Sequence, residues 1–132
     1  MGSAYAMNEE EIFDTIGEDG FVRLIRPFYR QVPNDPILCP MYPAEDLGGA
    51  EERLGDFLIG RSGGPQRYIE RRGHPRLRMR HIPFAIDTAA RNQWVTVMDR
   101  ALDESQFPED VTSRLREFFH GVATFMINRP KD

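Results

Sequence analysis

The chain is predicted to be all-α, on three observations. Apolar residues recur at spacings of three and four along its longer segments, no strand-length run alternates with period two, and no stretch repeats another. Its prolines cut this pattern often enough that about seven or eight helices, several very short, are expected in an irregular fold around a cavity rather than an up-down bundle.

Each element has a local reason. Asn8-x-x-Glu11 reads as a capping box that opens a first short helix, with Ile12, Phe13 and Ile16 as its stripe and Gly17 as its stop. Residues 18–32 begin with the acids Glu18 and Asp19 and carry Phe21, Leu24, Ile25, Phe28, Tyr29 and Val32 at helical spacing. Pro27 should kink or split this helix, because its ring collides with the Arg23 carbonyl. Pro33, Pro36, Pro40 and Pro43 then impose a corner of tight turns around Leu38, Met41 and Tyr42. From Ala44 to about Ile59, Leu47, Ala50, Leu54, Phe57 and Leu58 form one buried face.

Gly60 to Gly64 end that helix, Pro65 starts the next turn, and Gly73 closes it. Pro75 is placed to open a short helix carrying His81, and Pro83 blocks its continuation. Asp87 or Thr88 caps a helix with Ala90, Trp94, Val97, Met98 and Ala101 on one face. A last helix starts at Pro108, with Glu109 and Asp110 in its first turn, and runs through Leu115, Phe118, Val122, Phe125 and Met126.

With 132 residues and 40% hydrophobic content, the chain is expected to form one domain, residues 8–130, behind a tag-like or disordered N-terminus at 1–7. No apolar run approaches the roughly 20 residues of a membrane span and no signal segment is apparent, so a cytoplasmic address is expected. A single cysteine, Cys39, can make neither an internal disulfide nor a cysteine-based zinc site, and reads as a small hydrophobe. A net charge of -4 argues against a nucleic-acid binder. Yet arginines crowd residues 67–80, which suits a small anionic ligand, or else a solvated face whose arginine stems cover apolar surface.

The chemistry concentrates between Tyr68 and Phe84. His74 and His81 lie among prolines and arginines, His120 is far off, and no HExxH or Cys/His spacing exists for chelation by protein alone. The glycines at 60–64 lack the lysine and hydroxyl of a nucleotide loop. Taken alone, His81 reads more readily as a core or surface histidine than as a ligand. A single candidate axial histidine, an arginine cluster and a surplus of aromatics on facing helices nevertheless match the needs of a haem: one imidazole, an apolar slot and cations for the propionates. A helical interaction module with an apolar pocket and no haem is the alternative.

The runs Phe28-Tyr29, Met41-Tyr42-Pro43-Ala44-Glu45-Asp46-Leu47, Gly49 to Leu54, Gly63-Gly64-Pro65, Arg72 to Phe84 and Arg91-Asn92-Gln93-Trp94 resemble the group II truncated haemoglobins, in order, over residues 12 to about 128. The resemblance implies a shortened globin, a two-over-two helical sandwich around haem b, with His81 as the proximal ligand of a pentacoordinate iron. It places Tyr29, Tyr42 and Trp94 on the distal side as donors to a bound diatomic ligand. Ala50 leaves a lateral path, with Leu54 and Phe57 beside the ligand. Arg53 and Arg80, with Tyr68 or His74 and with Arg76 nearby, are expected at the propionates. Met79, Phe84 and Met98 are expected along the haem, and Phe28 and Leu58 are counted in the same pocket. Arg61-Ser62 stand where the family usually has an aromatic pair. The implied function is binding of dioxygen and related diatomics, with dioxygenase- or peroxidase-like redox chemistry on nitric oxide or peroxide served by an unidentified reductase. Slow release would suit chemistry or sensing better than oxygen transport. A homodimer is left open.

Overall fold

Gly17 breaks the first helical stretch in two. The computed structural model describes residues 9–129, so the segment 1–7, the expected cap Asn8 and the expected domain end at residue 130 lie outside the described residues. A single 3-10 turn, Glu9–Glu11, leads into α1 (Ile12–Gln31), inside which Gly17 has φ 65° and ψ -179°. That left-handed conformation suits a residue without Cβ and turns a short leading segment away from the longer one.

Pro27 does not split α1, which continues to Gln31. The proline removes the N–H that the Arg23 carbonyl would have accepted. The buried Ser105 hydroxyl lies 3.5 Å from that oxygen while donating to the Ala101 carbonyl at 2.8 Å, so a polar neighbour attends the freed group.

The proline-rich corner winds through 3-10 turns at Val32–Asn34, Cys39–Met41 and Ala44–Asp46. Its organiser is Asp35, which the sequence pattern did not mark. Asp35 is buried, and its carboxylate accepts from the N–H groups of Ile37 at 3.0 Å and Leu38 at 2.9 Å, and from the side chain of Gln93. Burial works to raise its pKa. The hydrogen bonds from Leu38, Gln93 and Ile37, together with the charge of Arg100, outweigh that and hold it below the usual carboxylate range. Leu38 turns inward, whereas Cys39, read as a small hydrophobe, is exposed.

Next comes α2 (Leu47–Arg61), beginning later and ending later than the pattern suggested. Gly63 and Gly64 follow for a reason of close approach. A Cβ on Gly63, whose φ is 96°, would lie 2.1 Å from the Glu10 carbonyl oxygen, and one on Gly64 would lie 2.6 Å from the Phe13 ring. The N-terminal stretch therefore crosses tightly over the end of α2, pinned by the Phe13 N–H on the Ser62 carbonyl at 3.0 Å. Arg61 fits its unusual position by lying 5.1 Å over the Phe118 ring and pairing with Glu9.

After α3 (Arg67–Arg72), α4 (Leu77–Arg80) is a single turn. Pro75 does not open it: Arg76, at φ 44°, precedes its first residue. His81 is the residue that ends α4, its N–H bonded to the Leu77 and Arg78 carbonyls. Asp87 caps α5 (Thr88–Ser105) by accepting from the Ala90 N–H at 2.8 Å, and α6 (Glu109–Phe125) follows Pro108.

Among the described residues there are six α-helices joined by short turns, and no strand. α1 packs on α2 and α5, and α5 packs on α6, so one helix pair lies against another in the two-over-two arrangement. Phe21, Leu24, Phe28, Leu58, Met98, Leu102, Leu115 and Phe119 fill the interface, each with no more than 2% exposure. Burial on that scale is worth roughly 1.5 to 3 kcal/mol per large side chain. No described helix is long and apolar enough to cross a membrane.

Candidate functional site

The helices enclose a cavity of about 610 Å³, within the range of about 300 to 1,000 Å³ usual for small-molecule and cofactor sites. α1 contributes Tyr29 to its lining and the corner contributes Leu38, Met41, Tyr42 and Pro43. α2 adds Ala50, Arg53, Leu54, Phe57 and Leu58, and α3 adds Tyr68. The α4 region supplies Leu77, Arg80, His81, Phe84 and Ile86. α5 supplies Ala90, Arg91 and Trp94, and α6 Phe118, Phe119, Val122 and Ala123, with Met126 following it.

His81 is half-buried, and its Nδ1 lies 2.7 Å from the Leu77 carbonyl oxygen. A carbonyl can only accept, so Nδ1 carries the hydrogen and donates it. In the neutral imidazole Nε2 then keeps its lone pair, the tautomer of a metal-ligating imidazole with a second partner in place. The single-turn helix makes this local: Leu77 is four residues before His81, and its carbonyl accepts both the main-chain N–H of His81 and its ring N–H.

Three aromatic donors meet around a buried ring. Phe28 has no exposure and sits with its centroid 5.0 Å from Tyr29, 6.4 Å from Tyr42 and 5.4 Å from Trp94. It does not border the cavity; it supports the three side chains that do. Burial raises the pKa of both tyrosines, with the Tyr42 phenol and the Glu51 and Asp46 carboxylates adding to the rise at Tyr29 and Arg53 opposing it, while hydrogen bonding from the Trp94 indole works against the rise at Tyr42. Both are neutral phenols at physiological pH and keep a hydrogen to donate.

The cations divide. Arg53 borders the cavity and bonds Asp46 at 2.6 Å. Arg80 also borders it, with its guanidinium near the Arg72 and His74 carbonyls at 3.3 and 3.5 Å. Arg91 was not anticipated; it lines the cavity and bonds Thr124 and the His120 carbonyl. Arg72, whose guanidinium lies 6.0 Å from the Tyr68 ring, has a buried Nε with no hydrogen-bond partner.

Of the residues singled out from sequence, Tyr29, Tyr42, Ala50, Arg53, Leu54, Phe57, Leu58, Tyr68, Arg80, His81, Phe84 and Trp94 come together on the cavity. Met98 and Phe28 are packed in the core instead, because their helix faces meet neighbouring helices rather than the void. Met79 is 52% exposed, and His74 and Arg76 face solvent, the His74 ring accepting from the Arg76 N–H. The sequence reading missed Leu38, Met41, Pro43, Asp46, Leu77, Ile86, Ala90, Arg91, Phe118, Phe119, Val122, Ala123 and Met126 as lining. The stripe of α6 was visible as periodicity, but periodicity marks a covered face without saying whether protein or a cavity covers it.

This donor set has a definite chemistry. No three metal-ligating side chains converge among the described residues, and His81 is the histidine on the cavity lining. One imidazole, apolar and aromatic walls and the bordering arginines Arg53, Arg80 and Arg91 fit a flat apolar macrocycle that carries its own metal and anionic substituents.

Comparison with known proteins is consistent. A family model described as bacterial-like globin matches residues 11–128. The group 2 truncated hemoglobin YjbI of Bacillus subtilis (strain 168) is 34% identical over 121 residues, covering 89% of this chain and 88% of that protein. Among solved structures, a thermostable hemoglobin from the actinobacterium Thermobifida fusca superposes with a TM-score of 0.87 at 48% identity, covering 91% of this chain and 98% of that one. A truncated oxygen-avid haemoglobin from Bacillus subtilis does so with a TM-score of 0.84 at 32% identity, covering 89% of this chain and 98% of that one.

Proposed function

We propose a function from one premise: this chain belongs to the bacterial-like globin family and is a truncated haemoglobin of group 2. It is a haem globin that binds dioxygen, and the residues on the cavity assign the work. Bound haem supplies a redox-active iron with an open position for a diatomic ligand. His81 holds that iron through Nε2, with Leu77 fixing the ring's tautomer. Neither His74 nor His120 lines the cavity, which supports a pentacoordinate iron. One cysteine offers no pair for covalent attachment, which supports haem b.

Arg53 and Arg80, with Tyr68, orient the macrocycle through its propionates. Tyr42 donates a hydrogen bond to a diatomic ligand that carries partial negative charge, the Trp94 indole N–H holds the Tyr42 hydroxyl in place, and the aromatic wall excludes water. A ligand held by a buried hydrogen-bond donor leaves slowly, which favours redox chemistry with nitric oxide or peroxide, or sensing, over transport. The iron would then be served by a reductase, in a reducing cytoplasm that suits the lone Cys39.

The observation that carries this reading is the His81 Nδ1–H bond to Leu77 beside an apolar cavity. Its test is reconstitution. The purified protein should take up one haem and show an intense band at the blue edge of the visible; His81→Gly should lose it, and added imidazole should restore it. A wild-type chain that takes up no stoichiometric haem would overturn the proposal.

A further inference from the structure

We propose, resting on the haem reading above, that Asn128 is the positioning residue of His81 and so of the bond from His81 to iron. Residues 81–86 form a turn with little to hold it. Within it the Phe84 N–H bonds the His81 carbonyl at 2.9 Å, and Pro83 has no N–H to give. Ile82 is 61% exposed, so packing contributes little there.

The hold comes from beyond the end of α6. Asn128 Nδ2 donates to the His81 carbonyl at 3.2 Å and to the Phe84 carbonyl at 2.9 Å, using both hydrogens of the amide. Its Oδ1 accepts from the Ile86 N–H at 2.9 Å. The main-chain N–H groups of Asn128 and Arg129 both reach the Ile86 carbonyl, at 2.9 and 3.2 Å. One planar side chain, distant in sequence, thereby ties both ends of the turn to the C-terminal stretch.

His81 is then fixed at two places. The Leu77 carbonyl sets the ring through Nδ1, and Asn128 sets the main chain from which the ring hangs. An imidazole ligand needs both, since its direction toward a metal follows from side-chain torsion and backbone position together. The site requires two donors and one acceptor from a single short side chain, which asparagine provides. Aspartate, of the same shape, would set a carboxylate against two carbonyls.

The test uses haem-loaded wild type, Asn128→Asp and Asn128→Ser, with Ser105→Ala as a control in the core away from the turn. Three quantities are read: the ferrous iron–histidine stretching band by resonance Raman, the rate of haem transfer to an excess of a scavenging apoglobin, and the melting temperature. Both Asn128 variants should shift the band and raise the transfer rate about tenfold or more, the usual scale for residues supporting a metal ligand. Ser105→Ala should lower the melting temperature and leave band and rate unchanged. Unchanged band and rate in both Asn128 variants would overturn the proposal. So would the same changes in Ser105→Ala at an equal loss of melting temperature. A wild-type chain that takes up no haem overturns the premise and this inference with it, a result distinct from altered variants beside a loaded wild type.

Discussion

The hydroxyl of Tyr29 donates to the main-chain carbonyl of Ala50 at 3.1 Å, tying α1 to the face of α2 that borders the cavity. A phenol has one hydrogen, so this bond withdraws Tyr29 as a donor to a ligand and leaves Tyr42, whose hydroxyl accepts from the Trp94 indole and keeps its own hydrogen to give. Tyr29→Phe should change the dioxygen off-rate by less than about threefold and lower stability by about 1 kcal/mol, whereas Tyr42→Phe and Trp94→Phe should each raise the off-rate about tenfold or more. Stopped-flow displacement by carbon monoxide measures all three. A large effect in Tyr29→Phe with none in the other two would reverse the assignment.

Arg53 and Asp46 form an ion pair at 2.6 Å with side chains 38% and 50% exposed. Such a pair contributes about 0 to 1 kcal/mol to folding. Arg53→Ala should therefore barely move the melting temperature of the haem-free chain, yet speed haem loss several-fold if Arg53 serves a propionate. Equal rates of haem transfer from wild type and variant would remove Arg53 from that role.

Asp35 is the hinge of the corner's stability. Its folded pKa lies below the ordinary aspartate value of about 3.9, so the unfolded chain binds the proton more readily. The stabilisation is therefore present above about pH 4 and is lost as pH falls through the folded value. Melting temperature plotted against pH should drop in that acidic window for wild type, and more shallowly for Asp35→Asn. Asp35→Ala should destabilise by about 1 to 3 kcal/mol at neutral pH, since it strands the buried Leu38 N–H and removes the partner of the part-buried Ile37 N–H and Gln93 amide.

Two glycines should respond to alanine in opposite directions. Gly121 lies in α6 with nothing near its missing Cβ, so Gly121→Ala should stabilise by about 0.5 to 1 kcal/mol. Gly63 combines φ 96° with a backbone oxygen 2.1 Å from where a Cβ would sit, so Gly63→Ala should cost about 3 kcal/mol or more. Denaturant midpoints decide both, and a tolerated Gly63→Ala would mean that the N-terminal crossing is looser than described.

Much of the fold was legible because its signals are local. Gly17, Gly73, Asp87 and Pro108 act on the backbone within a few residues of themselves, and helical periodicity needs no partner to be seen. Of the two outcomes expected at Pro27, a kink or a split, the split does not occur, since α1 keeps helical torsions through the proline. The site was legible in its residue types and less so in its geometry. Met98 and Phe119 look alike as apolar positions on buried faces, and the packing of α5 against α1 and α6 decides that Phe119 meets the cavity and Met98 does not.

By itself the amino-acid sequence determined the helical class, the punctuation of the corner and the stop that Pro83 sets behind His81, since each follows from torsional limits and spacing along the chain. Tertiary structure alone decided which hydroxyl is already bonded, that Gln93 reaches the Asp35 carboxylate at the corner, and that Asn128 reaches back to the carbonyl of His81. Those are hydrogen bonds between groups far apart in sequence, and a directional bond of about 3 Å exists only once packing has brought its two ends together.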